Sequence, residues 1–327
     1  MSKFSIISAS NDGVWDDFVE DSPQGTVFSQ SCYLNSVDGE YIRKYLLKGN
    51  EVKAAFSLML SDNRLNAKLD DLVIYNGIFF KDDKEKKATK ARLERFEITQ
   101  CIIDDVLGSY NNIEMAFSPQ FEDLRPFLWY NYHDKNRSSR FELDLRYTSY
   151  IDISELALDI PYENTKLFCE METLRKRNIK EAIRSEASVT VDTDVDKLIH
   201  FYRLLMESQN EVVSEVKLHR MAKLTQILVE KNKAVMFLTK NRSGAIIYIT
   251  VFCFDSKRAY YLFGAGHPGF YERYKGTMSF WGAFEYLARV KGIKIVDFEG
   301  VNSPQRGWFK LSFGGTLLPY YQVFLKR

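Results

Sequence analysis

Two carboxylates lie at the end of the apolar segment that runs from residue 293 to residue 298. Asp297 and Glu299 are two positions apart, so on a β-strand their side chains share a face. One could then take a proton from a reacting group while the other positions a substrate. We choose Glu299 as the base, because a desolvated carboxylate can have its pKa raised toward neutral. The alternative is that either carboxylate only caps neighbouring backbone.

A strand end with two glycines precedes these carboxylates. Phe263, Gly264, Ala265 and Gly266 form a pattern that weakens a strand unless the backbone bulges or a ligand approaches closely. Backbone N–H groups near Gly264 to Gly266 would be suited to stabilise a developing oxyanion. His267, in the loop that follows, is a second-choice base, and the alternative is an ordinary loop residue.

Two cations stand before the next predicted helix. The run Arg273, Tyr274, Lys275, Gly276 and Thr277 combines positive charge, a glycine and a hydroxyl at a helix N-terminus. Unpaired N–H groups and the helix dipole favour an anion there, so the run predicts a phosphate cradle that would fit a pyrophosphate. The alternative is a plain helix start with Thr277 as its cap.

Five further cations lie in a predicted helix at positions Arg175, Lys176, Arg177, Lys180 and Arg184. Because Glu172 and Glu181 are interleaved with them, a solvated helix face is the ordinary interpretation. The alternative is a face that holds a diphosphate.

The predicted helices and strands that would position these residues follow one another in a similar order twice along the chain, and we call these two successions the first and the second pass. The first pass includes a strand at 72–80 and a helix with the apolar stripe Leu93, Phe96, Ile103 and Leu107. The second has helices at 164–185, 195–208, 216–231 and 277–290. Its strands are predicted at 234–239, 245–254, 259–263, 293–298 and 320–324, with a short segment at 308–309. We place the boundary near Tyr150, which predicts domains 1–150 and 151–327.

Composition excludes several classes of partner and site. The net charge of +1 gives no global field for a nucleic acid or an anionic membrane, so neither partner is expected. The four cysteines form no CxxC pair, so we expect no metal. No stretch approaches the ~20 apolar residues of a membrane span, and no signal peptide is evident, so we expect a cytoplasmic protein. The 24 phenylalanines and 19 tyrosines either line a ligand-binding surface or reflect an AT-rich genome.

The order of glycine-bearing strand end, basic loop and helix resembles the acyl-CoA site of the GNAT acetyltransferase superfamily. Arg273 and Gly276 match the family's pattern, whereas Met278 replaces its Gly or Ala. The stretch Asp297-Phe298-Glu299-Gly300, followed by Phe309-Lys310 and Phe313-Gly314, resembles the carboxy-terminal motif of FemAB-like tandem-GNAT proteins. The segments 27–31 and 175–182 are similar to two further elements of that family. The resemblance therefore covers nearly the whole chain.

The resemblance implies an α/β (α+β) fold of two tandem GNAT-like domains, each a mixed, mostly antiparallel sheet flanked by helices. It places acyl-CoA, with acetyl or hydroxybutyryl as possible acyl groups, along residues 263–266 and 273–277 of the second domain. It also implies that Arg175, Arg177 and Asn178 hold a nucleotide diphosphate of the substrate. Lys310 would hold a phosphate of either substrate, and Asn302 is assigned to substrate binding.

The activity expected from this resemblance is direct transfer of an acyl group from acyl-CoA to an amine. We expect the acceptor to be a dTDP-linked amino dideoxy sugar used for surface polysaccharide such as O-antigen or capsule, as in nucleotide-sugar N-acyltransferases of the FdhC type. Peptidoglycan-building relatives carry a Trp and a Lys after the Gln-Ser element, where this chain has Leu34 and Asp38, and a long helical arm associated with tRNA use. Aminoacyl-tRNA-dependent transfer to a peptidoglycan precursor and a non-catalytic binding scaffold remain the alternatives. The oligomeric state is left open.

Overall fold

The computed structural model describes residues 3–135 and 140–326. The strands in chain order are β1 (Ser5–Ser8), β2 (Glu40–Lys48), β3 (Glu51–Leu60), β4 (Asn66–Lys68), β5 (Ile78–Phe80), β6 (Asn112–Ala116), β7 (Glu142–Asp152), β8 (Ser188–Asp192), β9 (Ala234–Lys240), β10 (Ile246–Phe254), β11 (Ala259–Gly266), β12 (Ile295–Asp297) and β13 (Thr316–Leu325). The helices are α1 (Asp12–Asp21), α2 (Ser31–Leu34), α3 (Ala88–Ser109), α4 (Arg125–Leu128), α5 (Lys166–Glu170), α6 (Thr173–Arg184), α7 (Val195–Ser208), α8 (Glu215–Glu230), α9 (Lys275–Arg289) and α10 (Pro304–Leu311). Short 3₁₀ helices occupy Val27–Ser29, Ser154–Ala157 and Tyr162–Asn164.

The chain divides into two compact units. Unit 1 comprises Met1–Arg146 and Pro319–Arg327, and unit 2 comprises Tyr147–Leu318. The predicted division at residue 150 therefore needs a correction at the carboxy-terminal end. Residues from Pro319 onward belong to unit 1, because β13 pairs with β6 over the register from Gln322↔Ala116 to Leu325↔Ile113.

Unit 1 is a sheet with the strand order β1-β2-β3-β4-β6-β13, and β5 lies beside β3. The pair β4–β6 is parallel, and the pairs β1–β2, β2–β3, β3–β4, β3–β5 and β6–β13 are antiparallel. Helix α3 packs its buried Ile98, Ile102 and Val106 into the same core as Phe56 and Ile78. Removal of such side chains from water is worth about 1.5–3 kcal/mol each and holds α3 on the sheet. Leu93, which was predicted in the apolar stripe of α3, is exposed.

Unit 2 is a sheet with the strand order β7-β12-β11-β10-β9-β8. The pair β11–β12 is parallel, and the pairs β7–β12, β10–β11, β9–β10 and β8–β9 are antiparallel. Helix α9 buries Trp281, Phe284 and Leu287 in the core that also contains Phe237 and Phe252. The helix predicted at 277–290 is confirmed as α9.

Both units are mixed, mostly antiparallel sheets with helices packed against them, so the predicted α/β (α+β) class is confirmed. Within the described ranges, no helix is both long enough and apolar enough to cross a membrane.

Three predicted elements differ from the structure. The helix predicted at 164–185 is two helices, α5 and α6, because Met171 and Glu172 adopt extended backbone conformations between them. The strand predicted at 72–80 is limited to β5. The short segment predicted at 308–309 is part of helix α10, whose first residue is Pro304, a residue favoured at that position.

Candidate active site

A gap opens in the sheet of unit 2 where β11 and β12 separate. Across the described chain, β12 pairs with β11 at Ala259↔Val296 and Tyr260↔Asp297 only, whereas β11 stays paired with β10 as far as Gly266↔Tyr248. Beyond Asp297 the backbone turns away, since Glu299 has φ 57° and Gly300 has φ 120°. Residues 261–266 of β11 thus present one backbone edge to the gap.

Gly264 lies at the centre of that edge. The N–H of His267 donates to Ile247 O, and since alternate residues of an antiparallel strand bond to the same neighbour, Phe263 and Ala265 bond to β10. The backbone N–H and C=O of Gly264 therefore point toward the gap. A Cβ atom at this position would lie 2.4 Å from the Tyr261 hydroxyl oxygen, which explains why the position lacks a side chain.

Asp297 and Glu299 are joined by a direct hydrogen bond rather than by a shared strand face. The prediction that their side chains share one face of a strand is wrong, because β12 ends at Asp297 and Glu299 is in the left-handed region. The buried Asp297 Oδ1 accepts from the Glu299 N–H at 2.7 Å and from the Thr148 hydroxyl at 2.5 Å. Asp297 consequently holds the backbone of Glu299 in place, which suits a positioning residue better than a base.

The carboxyl group of Glu299 is the strongest candidate for a base. Its Oε1 atom is buried and has no hydrogen-bond partner. Burial raises the pKa of Glu299 well above its usual value, the negative charge of Asp297 raises it further, and Lys310 opposes both. A carboxylate with a raised pKa in a cleft is the kind of group that can accept a proton near neutral pH.

Lys310, on α10, fixes the turn that carries Glu299. Its Nζ donates to the carbonyl oxygens of Phe298 at 2.7 Å and Gly300 at 2.8 Å, and lies 5.0 Å from the centre of the Tyr261 ring. Burial lowers the pKa of Lys310 to about 8, against the attraction of Glu299 and Asp297. These two bonds use two of the three donors of the ammonium.

Side chains of α6 form hydrogen bonds to the beginning of α9. Tyr274, not Thr277, occupies the N-cap position, so the alternative in which Thr277 caps the helix is wrong. The Thr277 hydroxyl instead accepts from Arg175 Nη1 at 2.6 Å and from Asn178 Nδ2 at 3.2 Å. Asn178 Nδ2 also lies 3.2 Å from Arg273 O, to which it donates. The first turn of α9 is therefore held in a defined position with its N–H groups directed outward.

The cations around this helix start differ in what they contact. Lys275 Nζ donates to His267 O at 2.7 Å and Phe270 O at 2.5 Å, and burial lowers the pKa of Lys275. The Arg175 guanidinium lies 4.9 Å from the centre of the Phe309 ring, and its buried Nε has no partner. Burial also lowers the pKa of Arg175. These positive charges stay close to the N-terminus of α9, where an anion would be favoured.

A cavity of about 840 Å³ contains the gap and the helix start. It brings together eight of the residues predicted from sequence: Arg175, Phe263, Gly264, Arg273, Lys275, Gly276, Glu299 and Lys310. Its remaining wall includes Leu205, Met206 and Phe280. Cavities of this size and mixed lining are typical of small-molecule sites.

Several predicted residues support the cavity without lining it. Ala265 and Gly266 are buried in β11, and Tyr274, Thr277 and Asn178 are buried at the start of α9. Of these, Asn178 acts as a brace and Thr277 as its acceptor.

Three other predicted residues are placed away from the cavity lining. Asn302 binds the backbone of Tyr147 through Oδ1 at 2.8 Å and Nδ2 at 3.1 Å. His267 Nδ1 accepts from the Gly269 N–H at 3.0 Å, and its ring packs beside Phe201 and beside Phe270, of which Phe270 lines the cavity. Arg177 is exposed. None of these three residues is among those that line the cavity.

The lining residues that sequence analysis missed include three with polar side chains, Tyr248, Tyr261 and Arg306. Burial raises the pKa of Tyr248 to about 12 and raises the pKa of Tyr261 as well. Neither tyrosine belongs to a motif, and only the alternation of side chains along β10 and β11 could have placed them on one face.

The sequence matches no protein-family model and no curated protein. Solved structures do match. FemX has a TM-score of 0.63 at 14% identity, with 97% of this chain and 96% of FemX covered. A tandem GNAT protein from the clavulanic acid biosynthesis pathway has a TM-score of 0.54 at 11% identity, with 98% and 97% covered.

The chain has a tandem GNAT fold. L-PGS from Bacillus licheniformis is also similar, with a TM-score of 0.53 at 11% identity and coverage of 97% of this chain and 92% of that one. At these identities the likeness concerns the fold, and the predicted fold of two tandem GNAT-like domains is confirmed. Across the described residues there is no group of three or more His, Cys, Asp or Glu side chains that could hold a metal ion.

Proposed function

We propose that unit 2 is an N-acyltransferase that moves an acyl group from acyl-CoA directly to an amine. The observation that carries this proposal is the gap between β11 and β12, with Glu299 on one side and the backbone of Gly264 on the other. An extended chain with amide groups, such as pantetheine, can bond to the free edge of β11 as an added strand would. Arg273 and Lys275 at the start of α9 suit the diphosphate of the same molecule.

The reaction follows from the groups at the gap. The acceptor arrives as an ammonium ion, and Glu299 removes one proton, directly or through a water molecule. The free amine attacks the thioester carbonyl, the C–N bond forms, and the oxyanion is stabilised by backbone N–H groups of β11 near Gly264. The C–S bond then breaks, and the second proton of the amine passes to the departing thiolate. The products are the amide, the free thiol and a proton held by Glu299.

We propose that the acceptor is a nucleotide-linked amino sugar, of the dTDP-amino dideoxy type used for surface polysaccharide. Arg175, Arg306 and Lys310 offer positive charge on the cavity wall for its phosphates, and Tyr248 and Phe309 offer ring surfaces. The acyl group would be a short one, such as acetyl or hydroxybutyryl.

A thiol-release assay tests the proposal. The full chain is mixed with acetyl-CoA or hydroxybutyryl-CoA and a panel of amines that includes a dTDP-linked amino dideoxyhexose, and free thiol is measured over time. Glu299→Gln should abolish most of the release, whereas Glu207→Gln, which removes an exposed carboxylate of α7, should leave it unchanged. Amine-dependent release supports the proposal.

Two other results would overturn it. Activity with charged tRNA and a peptidoglycan precursor, together with no thiol release from any pair, would identify an aminoacyl-tRNA-dependent transferase. Tight binding of acyl-CoA with no turnover of any acceptor would identify a non-catalytic scaffold.

A further inference from the structure

Unit 1 repeats the arrangement that forms the cavity of unit 2. In unit 2 the order is β11, loop, α9, β12 and α10, and in unit 1 it is β5, loop, α3, β6 and α4. A second cavity, of about 700 Å³, lies at the corresponding place in unit 1. It is lined by Phe80 at the end of β5, by residues of α3, and by the segment from Gln120 to α4.

The gap between the two strands is closed in unit 1. Gln24 is buried, its Oε1 accepts from the Phe80 N–H at 3.1 Å, and its Nε2 donates to Gln120 O at 3.1 Å. The Ser118 hydroxyl donates to Gln24 O at 3.1 Å and holds the residue in place. The Gln24 amide thus makes the backbone bonds that pantetheine would need, so this cavity does not suit an extended thioester.

The cavity also carries positive charge on helices α3 and α4, part of which acts on Asp123: a hydrogen bond from Arg125 lowers the pKa of Asp123, and the charge of Arg92 lowers it further. Arg92 and Arg95 both line it, three residues apart on α3, and neither forms an ion pair within the described chain. Arg95 lies 5.5 Å from the centre of the Phe80 ring. The third arginine of the lining, Arg125, is already bound by Asp123 through two hydrogen bonds of 2.8 and 2.6 Å.

The rest of the lining is partly apolar and partly acidic. Ala88, Ala91 and Leu128 form an apolar wall, and Leu128 is exposed on it. Glu122 is an exposed carboxylate on the same cavity. A pair of arginines suits a phosphate, and a carboxylate suits the hydroxyls of a ribose.

We propose that this cavity binds a nucleoside phosphate. The phosphate lies between Arg92 and Arg95, a ribose hydroxyl donates to Glu122, and the base packs on the apolar wall of Ala88, Ala91 and Leu128. The site belongs to unit 1 alone, so it does not depend on acyl transfer in unit 2.

Titration calorimetry on the full chain tests this site with three probes: ADP, thymidine diphosphate and inorganic pyrophosphate. We expect at least one nucleotide to bind, and the double variant Arg92→Gln with Arg95→Gln to weaken that binding about tenfold or more, because it removes two charge-assisted contacts to the phosphate. Lys90→Gln is the matched control, because Lys90 is an exposed cation of α3 that does not line the cavity. Glu122→Gln should weaken nucleotide binding and leave pyrophosphate binding unchanged.

Three results would overturn the inference. One is that neither ADP nor thymidine diphosphate gives a measurable heat of binding at millimolar concentration. Another is pyrophosphate binding as tight as nucleotide binding, which would remove the nucleoside from the proposal. The third is loss of nucleotide binding in Arg273→Gln but not in the double variant, which would place the nucleotide in unit 2. Circular dichroism melts confirm that each variant is folded.

Discussion

Glu299 combines two unfavourable features at one residue. Its backbone is in the left-handed region, which disfavours residues other than glycine, and its carboxyl group is desolvated beside Asp297. Residues that cost stability in this way persist where the surrounding structure holds them, and they cluster at functional sites. At the residue scale, we therefore expect a neutral side chain in place of Glu299 to raise the stability of the fold and to lower the activity.

Glu299→Gln should lower kcat by about 10²–10⁴-fold, the usual contribution of a general base, while acyl-CoA affinity changes little. Steady-state kinetics and calorimetry with acyl-CoA measure the two effects. A variant with a near-normal kcat would remove Glu299 from the role of base.

The same substitution should stabilise the fold at neutral pH by about 1 kcal/mol, because it removes a buried charge that repels Asp297. The sign follows from linkage: a folded-state pKa above the unfolded value means that stability falls as pH rises from about 4.5 through the folded pKa. The gain in the variant should therefore vanish below pH 4.5 and be complete above the folded pKa. Thermal melts across pH test this, and a gain that is constant with pH would contradict it.

The pH dependence of kcat/KM should be bell-shaped. Activity should rise with pH as Glu299 loses its proton, at a pH above the usual range of a glutamate. It should fall near pH 8, where Lys310 loses the charge that it holds against Phe298 O and Gly300 O. Lys310→Arg should move the alkaline limb upward, because a guanidinium stays protonated. An unchanged alkaline limb in this variant would assign that limb to another group.

At the scale of elements, α6 determines where α9 begins. Thr277→Val keeps the shape of the side chain but leaves Arg175 Nη1 and Asn178 Nδ2 without their acceptor. We expect the KM for acyl-CoA to rise about tenfold with little change in kcat. The matched control is Thr225→Val in α8, a buried threonine whose hydroxyl donates to Met221 O within its own helix. An equal rise in KM in both variants would show a general effect of lost stability.

The close approach of β11 to Tyr261 gives a second prediction at this scale. Gly264→Ala should destabilise unit 2, because the added Cβ would lie 2.4 Å from the Tyr261 hydroxyl oxygen. Adding Tyr261→Phe removes that oxygen and leaves ring atoms at 3.1 Å, so the double variant should regain much of the loss, with a coupling energy of about 1 kcal/mol or more in a double-mutant cycle. If the effects of Gly264→Ala and Tyr261→Phe on the free energy of unfolding are additive in denaturant unfolding, the close contact is relieved by a different movement of the chain.

At the scale of the whole molecule, the two ends of the sequence contribute to the same unit. Ending the chain at Leu318 removes the β13 residues that pair with β6, although they are more than two hundred residues away in sequence. Hydrogen exchange should show lost protection at Asn112–Ala116, while β9 and β10 of unit 2 keep theirs. Retained protection at β6 would mean that β13 adds little to unit 1.

Local patterns in the sequence were sufficient for most elements. The helix predicted at 277–290 is α9, and the strand predicted at 245–254 is β10, each within two residues of its bounds in the structure. Two elements were not predicted correctly. At α10 the local signal is present, because Pro304 after Ser303 is typical of a helix start. At residues 171–172 there is no local signal, because neither a glycine nor a proline marks the break between α5 and α6.

The sequence by itself therefore determined the class of fold and the residue types of the site, because side-chain periodicity and helix-start chemistry are local properties. Only the tertiary structure decided which of those residues meet. In the structure, Asp297 accepts a hydrogen bond from the backbone N–H of Glu299, and Asn302 accepts one from the backbone N–H of Tyr147. Tyr248 and Tyr261 line the cavity. The tertiary structure also showed that Gln24 closes in unit 1 the gap that is open in unit 2. The physical reason is that burial, and with it the raised pKa of Glu299, arises from neighbours that are distant in the chain.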